Sequence, residues 1–297
     1  MYALLVFVLL VALVLIAGAA LAYPVHAFLG LWLETDFEEV AKRTVLGLGI
    51  FALVALFRTF GFRTLQDIGF TSKGSQFWKD SLTGFGVGVL IMGPVITGLL
   101  LSRNRVLDLQ WDWSFSGVAL LLATAVISGT AVALLEETIF RGALLSAILR
   151  RSSVSLAVLS TSFMYALVHF LEPGAPVDPD ALGWGSGLIL LRDAFTFLYH
   201  PALIFDSFIA LFAAGILLAL VRVQTGGLAA CIGIHAGWGF TIKIFKRVTN
   251  SNQDTSFAFL TGNYDHVIGY LATLVLILAI GIYLGISRQT GERTGMG

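Results

Sequence analysis

Residues 115–141 read FSGVALLLATAVISGTAVALLEETIFR. From Phe115 to Leu135 no side chain is ionisable, and the run matches the roughly 20 apolar residues that a helix needs to cross hydrocarbon. Glu136, Glu137 and Arg141 then follow within two turns, where a charged group is expensive and therefore functional by default. Working outward, apolar runs of similar length recur near 3–30, 44–62, 80–102, 154–170, 202–221, 228–246 and 266–286. The expectation is an all-α, polytopic transmembrane bundle of about eight spans, a single membrane domain over 1–297 with its motif-bearing core at about 115–246. Composition agrees: 57% of the 297 residues are hydrophobic and 12% charged, against about 25% charged in soluble domains.

Eighteen basic residues balance eighteen acidic ones, so the footprint of a nucleic-acid binder is missing and nucleic acid is excluded as a partner. The single cysteine, Cys231, allows no internal disulfide. Ala20-Leu21-Ala22 has the look of a signal-peptidase site, but no Lys or Arg precedes the run and it exceeds a signal core of about 7–15 residues. It reads as a retained span.

Lys and Arg gather in the loop after the second span (Arg58, Arg63, Lys73, Lys79), after the fourth (Arg141, Arg150, Arg151) and in the tail (Arg288, Arg293). With eight spans all three fall on one side, which the positive-inside rule assigns, with both termini, to the cytoplasm. Lys243, Lys246 and Arg247 fall on the other side, against that rule. The stretch 141–151 reads as a helical continuation. Glu172 to Pro176 and Asp178-Pro179-Asp180 read as a rigid acidic loop that cannot be helical, and Gly187 to Tyr199 as a re-entrant or interfacial helix. Glycine runs such as Gly84-Phe85-Gly86-Val87-Gly88 suit close helix contacts.

Three clusters carry the candidate chemistry. Glu137 and Arg141 are four apart in the order that favours an ion pair, so this pair is the brace. Glu136 points about 100° away and has no cation nearby in sequence. Such a carboxylate, in a low-dielectric cavity, can take a proton from water near neutral pH, which makes Glu136 the candidate general base. His169 ends the fifth span with Tyr165 one turn beneath it, where an imidazole can orient a water or protonate a leaving amine. His235 has apolar or small neighbours for a turn on each side, must face the bundle interior, and as a neutral donor could steady an oxyanion. An alternative set makes Glu136, His169 and His235 three ligands around a zinc-bound water. Cys231 and His235, also four apart, admit a thiol nucleophile with its base. His26, His200 and His266 lie beside proline or loop residues and read as interfacial.

These motifs resemble those of the CPBP group, the CAAX-protease and bacteriocin-processing membrane endopeptidases also called the ABI family. Its pattern is E-E-x-x-x-R, F-x-x-x-H and H-x-x-x-N, in that order on separate helices. Glu136, Glu137 and Arg141 match the first; His169 matches the second, with Tyr165 in the phenylalanine position; His235 matches the third, with Gly239 where the family has asparagine. The resemblance implies a prokaryotic inner-membrane protein that cuts a membrane-associated protein or peptide substrate without a cofactor. Glu136 and His169 would activate water and His235 would bind the oxyanion. Gly239 brings no side chain to that task, and Trp238 and Thr241 are the neighbouring donors. The departure keeps open a weak or inactive member acting as a membrane immunity, chaperone or assembly factor. Polar residues in a helical bundle also admit a small-molecule transporter, against which the lack of an obvious inverted repeat counts.

Overall fold

The computed structural model describes residues 2–171 and 177–294. Its long helices are α1 (Tyr2–Leu29), α2 (Phe37–Thr59), α3 (Ser75–Leu101) and α4 (Phe115–Glu137), the last running through a π-helical turn, Thr138–Leu144, into α5 (Leu145–Leu149). Beyond these come α6 (Val154–Val168), a short α7 (Ser186–Asp193), α8 (Phe205–Thr225), α9 (Ala229–Val248) and α10 (Tyr270–Thr294). The all-helical membrane bundle is thus as the apolar runs imply, with ends moved by a few residues.

Among the described residues, six stretches are long and apolar enough to cross a membrane: α1, α2, α3, Phe115–Leu149, α8 and Tyr270–Gln289 of α10. The other two expected spans are α6, an apolar helix of 15 residues, and α9, whose last turns carry Lys243, Lys246 and Arg247. α9 is shielded by its neighbours, whereas α6 is covered on one face and leaves Val154, Leu156, Leu159 and Phe163 exposed on the other. α9 packs against α3 on one side and α4 on the other, and α6 packs against α8. A helix surrounded by protein needs neither the length nor the uniform apolarity of one that faces lipid.

The α3–α9 seam shows why the sequence is rich in glycine. A Cβ on Gly84 or Gly88 would run into the carbonyls of Ala230 or Ile234, and one on Gly233 or Gly237 into those of Ser81 or Phe85. The two backbones approach as closely as small-residue interfaces permit. Helix starts follow side-chain capping: Ser114 accepts from the Gly117 N–H and Ser153 from the Leu156 N–H, each satisfying a donor that the first turn leaves open.

The basic loops meet at one end. The Arg150 guanidinium donates to the Phe60 carbonyl at 2.6 Å, and the Leu228 N–H to the Gly69 carbonyl at 2.8 Å. The opposite end holds an antiparallel pair that sequence reading did not anticipate, β1 (Arg105–Leu107) with β2 (Thr249–Ser251), Val106 opposite Asn250. Arg105 donates to the Thr249 hydroxyl and carbonyl at 2.8 and 2.6 Å.

Three local expectations gain detail. The continuation over 141–151 is a π turn followed by one turn of α-helix. The segment from Gly187 forms the eight-residue α7 and then a 3-10 turn at Thr196–Leu198; Gly187 sits on the Ala19 backbone of α1 with no room for a Cβ. Of the acidic loop, Glu172 to Pro176 lie outside the described residues. Asp178 caps a single 3-10 turn, Pro179–Ala181, by accepting the Asp180 N–H at 3.0 Å.

Candidate active site

Glu136 and Glu137 close α4, and their directions diverge as consecutive residues on a helix must. Glu137 turns inward and is fully buried, as is Arg141 (0% and 1% side-chain exposure), with Arg141 Nη1 donating to Glu137 Oε1 at 3.0 Å. The pair survives the π turn between them. Four residues overshoot one turn of an α-helix but fall slightly short of one in the wider π geometry, so the two side chains still stack. Arg141 Nη2 also donates to the Gly215 carbonyl of α8 at 3.3 Å, and its guanidinium lies 4.3 Å from the centre of the Tyr165 ring. The charge is spent on carboxylate, carbonyl and π face, as a buried cation requires.

Glu136 faces the other way, toward both histidines. Its Oε2 is 3.6 Å from His169 Nε2 and 3.8 Å from His235 Nε2, and that oxygen is buried with no hydrogen-bond partner. Both separations exceed a direct bond, and both are short enough for one water to lie within about 2.8–3.0 Å of acid and imidazole together.

The remaining ring nitrogens are already engaged. His169, the C-cap of α6, has Nδ1 2.7 Å from the Tyr165 carbonyl one turn below, and Tyr165 packs edge-on to it at 4.5 Å between ring centres. A carbonyl only accepts, so Nδ1 carries the hydrogen and a neutral ring presents the Nε2 lone pair. His235 has Nδ1 2.9 Å from Glu137 Oε1. That oxygen also accepts from Arg141 Nη1, and a carboxylate oxygen that accepts there leaves Nδ1 as the donor here too. With Nδ1 engaged by Glu137, it is Nε2 that faces Glu136.

A cavity of about 400 Å³ opens on Glu136 and His169. Its walls are Phe7, Leu10 and Val11 of α1, Leu53 and Leu56 of α2, and Tyr264 from the loop before α10. None of these carried a signal in sequence, because an apolar residue lining a cavity is indistinguishable there from one facing lipid. Glu136 and His169 keep 24% and 18% of their side chains exposed, whereas Glu137 and Arg141 are sealed. One half of the site is wet and the other dry.

Gly239 is not aimed at this cluster. A Cβ there would stand 3.3 Å from the Gly129 Cα of α4, so glycine permits close approach of α4 and α9. Neither neighbour is an obvious substitute. Thr241 commits its hydroxyl to the Gly237 carbonyl at 2.7 Å. Trp238 Nε1 is buried and unpartnered, with its ring centre 6.3 Å from that of His235.

The Cys231 thiol points at the Leu218 carbonyl at 3.4 Å and is buried, while the ring of His235 is taken by Glu137, so no thiol–imidazole pair forms. Of the three outlying histidines, His26 bonds the Thr35 carbonyl at 3.0 Å, His266 lies beside Gln253, and His200 is exposed. Among the described residues no group of three His, Cys, Asp or Glu side chains is arranged to hold a metal ion.

Residues 118–241 match the model of a family described as type II CAAX prenyl endopeptidase Rce1-like. The match covers the three motifs and bears out the family resemblance drawn from them. No curated protein and no solved structure matches the chain.

Proposed function

We propose that the chain, whose residues 118–241 match the type II CAAX prenyl endopeptidase family, hydrolyses a peptide bond of a membrane-associated substrate with a glutamate-activated water. One observation carries this reading: the buried, unpartnered Oε2 of Glu136 lies within 3.8 Å of two imidazole Nε2 atoms at the wall of a cavity.

Glu136 takes a proton from water while the His169 Nε2 lone pair orients it, and the hydroxide oxygen adds to the carbonyl carbon. The oxyanion is met by Nε2–H of a protonated His235, whose other nitrogen is steadied by Glu137. The proton on Glu136 passes to the amide nitrogen as the C–N bond breaks, leaving an acid and an amine. Glu137 and Arg141 touch no substrate; they fix the direction of the His235 ring. The family resemblance supports a prokaryotic inner membrane for this site, and the Lys/Arg bias supports cytoplasmic termini.

The test is Glu136→Gln in purified, reconstituted protein with a fluorogenic membrane peptide. Cleavage should fall by at least about 10³-fold with the unfolding temperature unchanged. Activity that survives this substitution removes the glutamate mechanism, and activity lost to chelators and restored by Zn²⁺ moves Glu136, His169 and His235 to the role of metal ligands.

Gly239 favours a second reading, an immunity, chaperone or assembly factor on the same scaffold. Losing one oxyanion donor lowers turnover by about 10²–10³. That reading prevails if Glu136→Ala rescues a deletion phenotype as well as the native chain does.

A further inference from the structure

A second cavity, about 1110 Å³ and separate from the cluster, runs between α3 and α10 over a floor of α8 and α9. It exceeds the roughly 300–1,000 Å³ of small-molecule pockets, and it is built in two parts. At the end shared with the basic loops its lining is polar: Ser72, Gln76, Lys79, Asp80, Thr83 and Thr225. Beyond Gly84 it is apolar, with Val87, Leu90 and Pro94 on α3 facing Leu278, Ala279 and Ile282 on α10.

The lengths decide what fits. Gly84 to Pro94 is ten residue steps and Val275 to Ile286 eleven, about 15–17 Å along each helix at ~1.5 Å per residue. That is one leaflet of a hydrocarbon core ~30 Å thick, with the polar stretch at headgroup depth.

The polar end is charged in both senses. Among the described residues no ion pair or hydrogen bond holds the Lys79 ammonium, whereas Asp80 is fixed by Gln76 Nε2 at 2.6 Å and the Ser72 hydroxyl at 3.3 Å. An anionic head group would suit Lys79 and be repelled by Asp80. A quaternary ammonium would offer Asp80 no N–H. A phosphate joined to a primary amine satisfies both, the phosphate on Lys79 and the ammonium on Asp80.

We infer that this groove is a binding site for one phospholipid with a primary-amine head group, of the phosphatidylethanolamine type, its chains lying along α3 and α10. The site also adjoins the face of α9 that carries Ala230 and Ile234, so the lipid buttresses the helix that holds His235.

The test uses the full chain, delipidated in detergent and returned to nanodiscs of phosphatidylethanolamine, phosphatidylcholine or phosphatidylglycerol. Retained lipid is read by native mass spectrometry, and thermal unfolding is followed in parallel. The native chain should retain one phosphatidylethanolamine with a preference on the order of tenfold over phosphatidylcholine, the worth of one charge-assisted hydrogen bond. Asp80→Asn should erase that preference while keeping the fold, Lys79→Ala should weaken retention of every phospholipid, and Ala279→Trp should exclude the chains. Equal retention of phosphatidylethanolamine and phosphatidylcholine overturns the head-group assignment. Retention unaffected by Ala279→Trp overturns the groove. A lipid-free dimer that Ala279→Trp dissociates would assign the same face to a second copy of the chain and overturn the proposal outright.

Discussion

Replacing Arg141 by methionine keeps most of the side chain's length and apolar stem but removes its charge. Three contacts go with it: the 3.0 Å bond to Glu137, the 3.3 Å bond to the Gly215 carbonyl and the face of Tyr165 at 4.3 Å. Glu137 is left fully buried with His235 alone. Breaking a buried pair from one side typically costs about 3–5 kcal/mol, and the lost cation–π contact adds about 0.5–2 kcal/mol. A helix merely leaving the membrane at this point would carry a solvated pair worth about 0–1 kcal/mol, so the two descriptions are well separated. The assay is a double-mutant cycle of Arg141→Met, Glu137→Gln and the combination, each read by unfolding in detergent. With both charges gone no uncompensated carboxylate remains, so the double variant should be less destabilised than the sum of the singles by about 2 kcal/mol or more. Arg141→Met below about 1 kcal/mol, or strictly additive singles, would refute the sealed brace.

Further outcomes follow from other parts of the molecule. Gly239→Asn, which installs the family residue, must push α4 at Gly129 by a few tenths of an ångström; unfolding should show a loss of about 1–3 kcal/mol with no gain in turnover, and a gain of about 10²-fold would show the missing donor to be recoverable there. Leu53→Trp fills the cavity wall opposite Glu136 and should raise KM about tenfold at unchanged kcat, measured on the reconstituted enzyme; a fall in kcat alone would argue against this cavity as the substrate's route. Asp67, outside the membrane spans, accepts the Thr64 and Arg63 N–H groups and its carboxyl is held below the usual carboxylate range by them. A depressed folded value gives stability that is present above the unfolded pKa of about 3.9 and is lost as pH falls through the folded value. The stability gap between the native chain and Asp67→Ala should therefore be constant above about pH 5 and close only in acid; a gap that widens in acid would reverse the sign.

The membrane bundle was legible because hydrocarbon imposes a length and a polarity on each crossing, and the acid–imidazole cluster because a charge in such a setting stands out. What escaped was set by packing. The π turn at Thr138–Leu144 has no mark in its residues, and the pairing of Glu137 with Arg141 persists through it. The role of His235 depended on which nitrogen its partner would take, and nothing in Gly233-Ile234-His235-Ala236 says that Glu137, 98 positions earlier, takes Nδ1. Gly239 reads as a lost catalytic residue in sequence, yet in space it is a contact point for Gly129. The cavity walls from α1 and α2 were invisible because leucine and phenylalanine look the same whether they meet lipid or a substrate.

The two helices that bring the histidines are also the two that fail as ordinary spans, α6 by length and α9 by its terminal charges. A helix that faces lipid must be apolar nearly all round, so it has few positions to give to chemistry. α9, enclosed between α3 and α4, is released from that demand and can carry an imidazole and glycines on one surface while ending in cations. The same enclosure explains the division within the cluster. Glu137 and Arg141 neutralise each other where water cannot reach, and so orient His235 without competing for a proton. Glu136 and His169 stand one position or one helix away, partly exposed at the edge of a cavity.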